Sequence, residues 1–210
     1  ADLLIQDQRV PDAIEKLSVV ARAYVTRGEV AQATRVWRRV IELAPMDLSA
    51  RAQLIDMLVQ REQVEEAIRE YMELAEVYYR LADLDLARRT YTTALQLVQK
   101  SNANRAWNVS ILQRMADIDM QRLDWKQAVR VYEQIRTLHP DDQAGRRQLL
   151  ELHTKLGQRQ QATAELDSYL TFLESNGRSA DAIPFLEELI QEHPEDTTYP
   201  RALAAQLHRN

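Results

Sequence analysis

The side chains that could carry out chemistry are few in this sequence and poorly arranged for it. The 210 residues include four histidines and no cysteine, so thiolate metal ligands and cysteine nucleophiles are excluded. His139 and His193 each precede a proline, in the triplets LHP and EHP. A partly protonated imidazole suits the negative end of a helix dipole. We therefore interpret these histidines as helix-terminal residues, and we expect no metal site.

Paired carboxylates are the other candidates for acid–base chemistry. Asp117 and Asp119 form a D-x-D, but residues two apart on a helix point to different faces. Adjacent pairs such as Asp141-Asp142 are typical of helix caps and solvated surfaces. The sequence also lacks a glycine-rich phosphate loop and the G-x-S-x-G and H-E-x-x-H motifs. We expect a protein that is not an enzyme and that carries no cofactor.

Composition excludes further classes of function. The net charge of −5 argues against a nucleic-acid binder, which needs a basic face to release phosphate counterions. Arg35, Arg38 and Arg39 form a local basic strip, which we interpret as a solvated helix face beside acidic neighbours. No run of 18 apolar residues is present, so we expect no membrane span. The absence of cysteine fits a reducing compartment, and the expected location is cytoplasmic.

The elements that must position any site are helices. Ala, Leu, Arg, Glu and Gln dominate the sequence, and only 4 Gly and 6 Pro interrupt it. We predict more than 70% helix, in about eleven segments. They lie near residues 10–27, 30–43, 47–61, 63–82, 84–99, 105–122, 124–138, 142–156, 158–175, 179–192 and 196–208. Asp47, Asp142 and Ser179 are the predicted N-caps.

The sequence repeats itself at a spacing of 95 residues. Residues 13–99 align with 108–194 without a gap and share 18 identities in 87 positions. Chance matching at background frequencies would give about 5. Within each long copy, an alanine is followed four positions later by an aromatic residue, as in Ala33-x3-Trp37 and Ala128-x3-Tyr132. Such periodicity is the signature of a repeat architecture.

These residues resemble the tetratricopeptide repeat (TPR). The first copy shows Leu17-x2-Val20-Ala21-x2-Tyr24, then Gly28, then the Ala33-x3-Trp37 pair, and ends at Pro45. Small residues let paired helices approach closely, glycine suits the left-handed end of a helix and proline stops the next one. The resemblance implies an all-α, right-handed superhelical α-solenoid of antiparallel helix hairpins.

The spacing of the repeat markers departs from the 34-residue unit of the family. Each unit of the family consists of a first and a second helix. In residues 67–87, AIREYMELAEVYYRLADLDLA, the signature of the second helix of one unit is followed directly by the signature of the first helix of the next. We therefore predict that 63–82 and 158–175 are each one helix, longer than its neighbours. We expect one solenoid over 1–210, with superrepeats at about 13–99 and 108–194, a linker at about 100–107 and a terminal helix at 196–208. We also expect it to be part of a longer chain.

The resemblance implies a function in protein–protein interaction. Arrays of this family bind a peptide or partner helix on a concave face lined by first helices. The inward positions of the family correspond here to Arg22, Gln53, Asp56, Gln60, Arg114, Asp117, Gln121, Arg147, Glu151 and Lys155. Two alternatives remain: a helical regulatory or sensor segment of a larger signalling or transcription protein, and an envelope-assembly scaffold.

Overall fold

Helices make up nearly the whole of the protein. The structure is a computed structural model that describes residues 9–101, 103–104 and 106–209. These residues form eleven α-helices and no strand, with 82% of the chain helical. The helices are α1 (Val10–Thr26), α2 (Val30–Leu43), α3 (Leu48–Gln60), α4 (Val64–Arg80), α5 (Leu84–Lys100), α6 (Ala106–Gln121), α7 (Trp125–Leu138), α8 (Gln143–Lys155), α9 (Arg159–Ser175), α10 (Ser179–Glu192) and α11 (Thr198–Arg209). The predicted all-α class is confirmed, and every predicted boundary lies within two residues of the observed one.

Two kinds of connection join all the successive helices except α5 and α6. The first is a three-residue turn whose central residue has a positive φ. It occurs with Gly28, Gly157 and Gly177, and with the non-glycine residues Glu62, Ala82 and Leu123. The second kind contains a proline, as at Pro45 after α2 and Pro140 after α7. The left-handed role predicted for Gly28 is confirmed by its φ of 74°.

Aspartate side chains cap several helices. Asp47 Oδ1 accepts a hydrogen bond from the Ala50 amide at 3.0 Å, and Asp142 Oδ1 accepts one from Gly145 at 3.1 Å. Both predicted caps are confirmed. The cap predicted at Ser179 is wrong, because Ser179 is already the first helical residue of α10 and its N-cap, Arg178, makes no side-chain capping bond.

Several alanines are fully buried among the packed helices. The alanines with no exposed surface are Ala13, Ala21, Ala33, Ala67, Ala75, Ala87, Ala94, Ala116, Ala128 and Ala182. A methyl side chain lets two helix backbones approach closely, and larger residues such as Trp37 fill the space beside the contact. Ala162 departs from the pattern and is only half-buried.

The two predicted fused segments are each one continuous helix. α4 and α9 both span 17 residues. α9 is longer than α8, with 13 residues, and α10, with 14. α4 is no longer than α5, which also has 17 residues, so the length prediction is wrong there. The reason lies in the repeat: Pro194 follows α10, whereas the equivalent position in α5 is Gln99, which lets the helix continue.

A buried ion pair joins α3 to α4 in the first superrepeat. Arg51 Nη1 donates to Glu70 Oε2 at 2.5 Å, and Arg51 Nη2 donates to the Pro45 carbonyl at 3.3 Å. Arg51 is buried, and the Glu70 side chain is 23% exposed. One arginine thus holds the start of α3 against both the preceding proline turn and the following helix.

The same arrangement recurs 95 residues later with greater burial. Arg146 Nη1 donates to Glu165 Oε1 at 2.6 Å, and Arg146 Nη2 donates to the Pro140 carbonyl at 3.1 Å. Glu165 also accepts a hydrogen bond from Arg136. The Arg146 guanidinium lies 5.3 Å from the centre of the Tyr169 ring. The side chains of Arg146 and Glu165 are 4% and 2% exposed, so this pair is almost completely removed from water.

The chain divides into two compact units. The first unit covers Ala1–Ile118 and the second Asp119–Asn210. α5 ends at Lys100 and α6 begins at Ala106, and the linker predicted at about 100–107 stays a prediction. The division into superrepeats and a terminal helix stays a prediction. In the described part of the chain, no helix is both long and apolar enough to cross a membrane.

Candidate functional site

Six of the ten predicted partner-binding residues lie in the first unit, on α1, α3 and α6. They are Arg22, Gln53, Asp56, Gln60, Arg114 and Asp117. Gln53 is half-buried and the other five are exposed. None of the six side chains makes a hydrogen bond or an ion pair with any residue that the structure describes. We call these six residues the first-helix face. Its polar groups are available to a partner.

The four predicted residues in the second unit are already engaged. Arg147 donates to Glu188, and to Glu192 at 3.3 Å, both on α10. Lys155 pairs with Glu151 at 3.7 Å and lies 5.4 Å from the centre of the Trp125 ring. Gln121 also has a polar partner. A ligand of this unit would therefore have to displace existing contacts, which the sequence did not reveal because the α10 carboxylates lie 41 and 45 residues beyond Arg147.

Arg114 and Asp117 share a small cleft with residues of two other helices. The cleft lies between α4, α5 and α6 and has a volume of about 20 Å³. Its lining consists of Glu76, Tyr79, Tyr91, Arg114, Asp117 and Ile118. The cleft wall thus brings two residues of the first-helix face together.

The ionisation of the cleft residues reflects burial and nearby carboxylates. Burial raises the pKa of Tyr91 to about 12, and the charge of Glu76 acts in the same direction. Burial also raises the pKa of Asp117, and the nearby Arg114 opposes that shift. On α4, burial and the Asp56 carboxylate raise the pKa of Tyr71. Carboxylates of the first-helix face therefore lie close to tyrosines of neighbouring helices.

Glu76 and Tyr91 were not predicted as site residues. They lie on the fused helix α4 and on α5. The positions predicted from the family were confined to α1, α3, α6 and α8. The sequence did contain an indication of Glu76, because the first-helix signature within 67–87 includes the second half of α4, and first helices line the predicted binding face.

Trp107 fixes the segment before α6 to α4. Its indole Nε1 donates to Glu65 Oε2 at 2.5 Å, and the Asn104 amide donates to Glu65 Oε1 at 2.9 Å. Both hydrogen bonds lower the pKa of Glu65, because they favour the charged carboxylate. The contact holds the start of α6, which carries Arg114 and Asp117, against the start of α4.

The other residues considered for chemistry have structural surroundings. His139 and His193 are the C-caps of α7 and α10, as the sequence predicts. In the basic strip, Arg38 pairs with Glu66 and Arg39 with Glu42, in agreement with a solvated helix face. Among the described residues, no group of three or more His, Cys, Asp and Glu side chains could hold a metal ion.

The second unit contains a larger cleft of about 480 Å³ between the α8–α9 turn and the connection to α11. Its wall includes Arg159, Thr163, His193 and Tyr199. Tyr199 is buried and its pKa is raised, while Asp196 is held by Thr198 through a hydrogen bond of 2.8 Å. Asp196 and Tyr199, two polar residues of this cleft, thus have partners within the fold.

The fold and its surface define a class of protein, an α-solenoid of TPR-like helix hairpins. Paired helices, the buried alanines Ala33 and Ala128, the left-handed turn at Gly28 and the proline after α2 occur at the positions that the resemblance predicts. The predicted resemblance to the tetratricopeptide repeat is confirmed.

Comparison with known proteins gives matches of the same kind. The family model of "Soluble NSF attachment protein, SNAP" matches residues 47–149, slightly less than half of the chain. No curated protein matches the sequence. The similar solved structures include MamA, with 13% identity and a TM-score of 0.42 over 76% of this chain and 97% of that one.

Two other similar structures are described as repeat proteins. YrrB, "a TPR protein with an unusual peptide-binding site", is 14% identical, with a TM-score of 0.39 over 77% of this chain and 91% of that one. A putative kinesin light chain with TPR-like repeats from Podosopora anserina is 16% identical. Its TM-score is 0.39 over 80% of this chain and 98% of that one.

Proposed function

We propose that this chain is a non-catalytic protein-interaction module that binds a peptide or a partner helix on its predicted concave face. The first-helix face of the first unit supplies the main contacts. The observation that carries the proposal is the availability of its six polar side chains, which have no partner among the described residues. The equivalent side chains of the second unit already have partners.

The chemistry of the first-helix face suits a protein ligand. Arg22 and Arg114 offer guanidinium donors, Asp56 and Asp117 offer carboxylate acceptors, and Gln53 offers both kinds of group. A surface of mixed charge complements the backbone and the mixed side chains of a polypeptide. Nucleic acid presents only phosphate charge to such a face, and an acidic module gains little from it. The matched SNAP family is itself described as an attachment protein.

Charge reversal on the first-helix face tests this function. We expect Arg114→Glu to lower the amount of captured partner by about tenfold in a pull-down, since reversing one charge in an interface introduces repulsion as well as losing a contact. The wild-type chain would first be used as bait, and its partner identified by mass spectrometry. Because the Arg114 side chain makes no hydrogen bond or ion pair with a described residue, the melting temperature should stay nearly unchanged.

Arg35→Glu is the matched control. Arg35 is exposed, lies on the second helix α2 and has no ion pair with a described residue. The substitution Arg35→Glu changes the net charge by the same amount as Arg114→Glu but leaves the residues of the first-helix face unchanged. If Arg35→Glu reduces capture and Arg114→Glu does not, the partner binds the opposite side of the repeat and the proposal is wrong. Equal loss with both variants would indicate only a general effect of net charge and would also contradict it.

A further inference from the structure

The first turn of α6 is oriented by polar contacts more than by apolar packing. Residues 106–110 are exposed or half-buried, and the buried side chains of this helix begin at Ile111 and Leu112. Apolar burial stabilises a helix end only where side chains leave water. The orientation of this turn therefore depends on its hydrogen bonds.

One carboxylate on α4 accepts these hydrogen bonds. Glu65 Oε2 accepts the Trp107 indole N–H at 2.5 Å, and Glu65 Oε1 accepts the Asn104 amide at 2.9 Å. Asn104 Oδ1 in turn accepts the amide of Ala106, the first residue of α6, at 2.9 Å. A carboxylate is well suited to this task, because each of its two oxygens is an acceptor. Glu65 thus holds the start of α6 at two points.

The neighbouring polar side chains do not share this work. Gln63 lies two residues before Glu65, and Asn108 directly follows Trp107. Gln63 Oε1 and Asn108 Oδ1 are both buried and have no hydrogen-bond partner among the described residues. A buried acceptor without a donor is destabilising. The two bonds of Glu65 therefore have no substitute from these side chains.

The position of Trp107 couples this contact to the first-helix face. Trp107 and Arg114 are seven residues apart, so they lie on the same side of α6 and about 10 Å apart along its axis. Asp117 follows Arg114 by three residues, which is a little less than one turn. Any rotation of the helix that separates Trp107 from Glu65 also turns Arg114 and Asp117.

We propose that Glu65 is a positioning residue for partner binding, which holds α6 in the orientation that presents Arg114 and Asp117 to the partner. The proposal rests on the proposed function, because those two residues must contact the partner. It adds a residue outside the first-helix face that sets the affinity of that face. Binding surfaces depend on such supporting contacts to keep their side chains in place.

A peptide from a displayed library of random 12-residue peptides provides the probe. It is selected against the full chain, and only a peptide whose binding weakens with Arg114→Glu is used. Glu65→Gln keeps the size of the side chain but replaces one acceptor oxygen with an amide group that only donates. We expect this variant to bind the peptide about fivefold more weakly, the order of one lost hydrogen bond. Trp107→Phe, which removes the indole N–H, should have a similar effect.

Glu66→Gln is the matched control. Glu66 is the next residue of α4 and pairs with Arg38 of α2, so the substitution changes the net charge equally and leaves the contacts of Glu65 in place. Peptide binding should stay unchanged. A loss as large as that of Glu65→Gln would indicate a general effect of charge at the start of α4 and would overturn the proposal.

Two measurements distinguish positioning from a general structural role. The chain has 3 tryptophans, and the indole N–H resonance that disappears in Trp107→Phe should move in Glu65→Gln while the other two stay in place. The double variant Glu65→Gln/Arg114→Glu should bind about as weakly as Arg114→Glu alone, because Glu65 acts through the helix that carries Arg114. Losses that multiply in the double variant would overturn the positioning role.

The outcomes separate this role from the general function. If no selected peptide is sensitive to Arg114→Glu, the proposed function is contradicted, and the positioning role with it. A peptide that is sensitive to Arg114→Glu but not to Glu65→Gln would overturn the positioning role and leave the proposed function standing.

Discussion

Glu165→Gln is expected to lower the free energy of unfolding of the second unit by about 3–5 kcal/mol, the range for breaking a buried ion pair on one side. The Glu165 carboxylate accepts hydrogen bonds from Arg146 and Arg136. Arg146 is almost completely buried, so loss of the carboxylate charge leaves a guanidinium in the core without its counter-ion. Chemical denaturation followed by circular dichroism measures the change.

The duplication of the sequence supplies a matched control. Glu70→Gln removes the equivalent carboxylate from the first superrepeat, where the side chain is 23% exposed and pairs with a single arginine. Water can replace part of the lost interaction there, so the destabilisation should be clearly smaller. Equal effects in the two copies, or no effect of Glu165→Gln, would show that burial of the pair does not determine its contribution.

Ala67→Leu is expected to destabilise the first unit by about 1–3 kcal/mol through overpacking. Ala67 has no exposed surface and belongs to a core cluster with Ala33, Trp37 and Leu58. A leucine at this position has no room unless the two helices move apart. The midpoint of urea denaturation is the measurement.

Ala162→Leu is the control for overpacking, because Ala162 is the equivalent residue 95 positions later. It is half-buried and lines the larger cleft of the second unit, so a longer side chain can extend into open space. We expect a change near zero. If both substitutions destabilise the protein equally, the buried alanines do not set the distance between the helices.

The architecture could be predicted from the sequence because its signals are local and repeated. Alanine spacing, Gly28 and the prolines each determine a helix contact, a turn or a helix end within a few residues. The prediction that α4 is longer than α5 failed because α4 is three residues shorter than its predicted span of 63–82, whereas α5, which has Gln99 where the second copy has Pro194, ends one residue beyond its predicted end. The cap at Ser179 was predicted wrongly, because a serine at the first helical position has the same local sequence as one at the N-cap.

The candidate site was less predictable, because the local sequence pattern does not show which side chains of distant helices form ion pairs. From the sequence, Arg147 was predicted to be a free surface residue. In the structure it forms ion pairs with Glu188 and Glu192 of α10. The Arg51–Glu70 and Arg146–Glu165 pairs were visible as repeated identities, yet their burial follows only from the packing of α3 on α4 and of α8 on α9. Trp107 likewise obtains its role from Glu65, which lies 42 residues earlier.

Photocrosslinking tests most directly whether the partner lies on the first-helix face. The photoreactive residue p-benzoylphenylalanine would replace Gln53 or Gln60 on α3, or the exposed Gln32 on α2. Each variant would be irradiated with the partner identified in the pull-down. Our account predicts covalent products from positions 53 and 60 and none from position 32. Products from position 32 alone would contradict it and place the partner on the second helices.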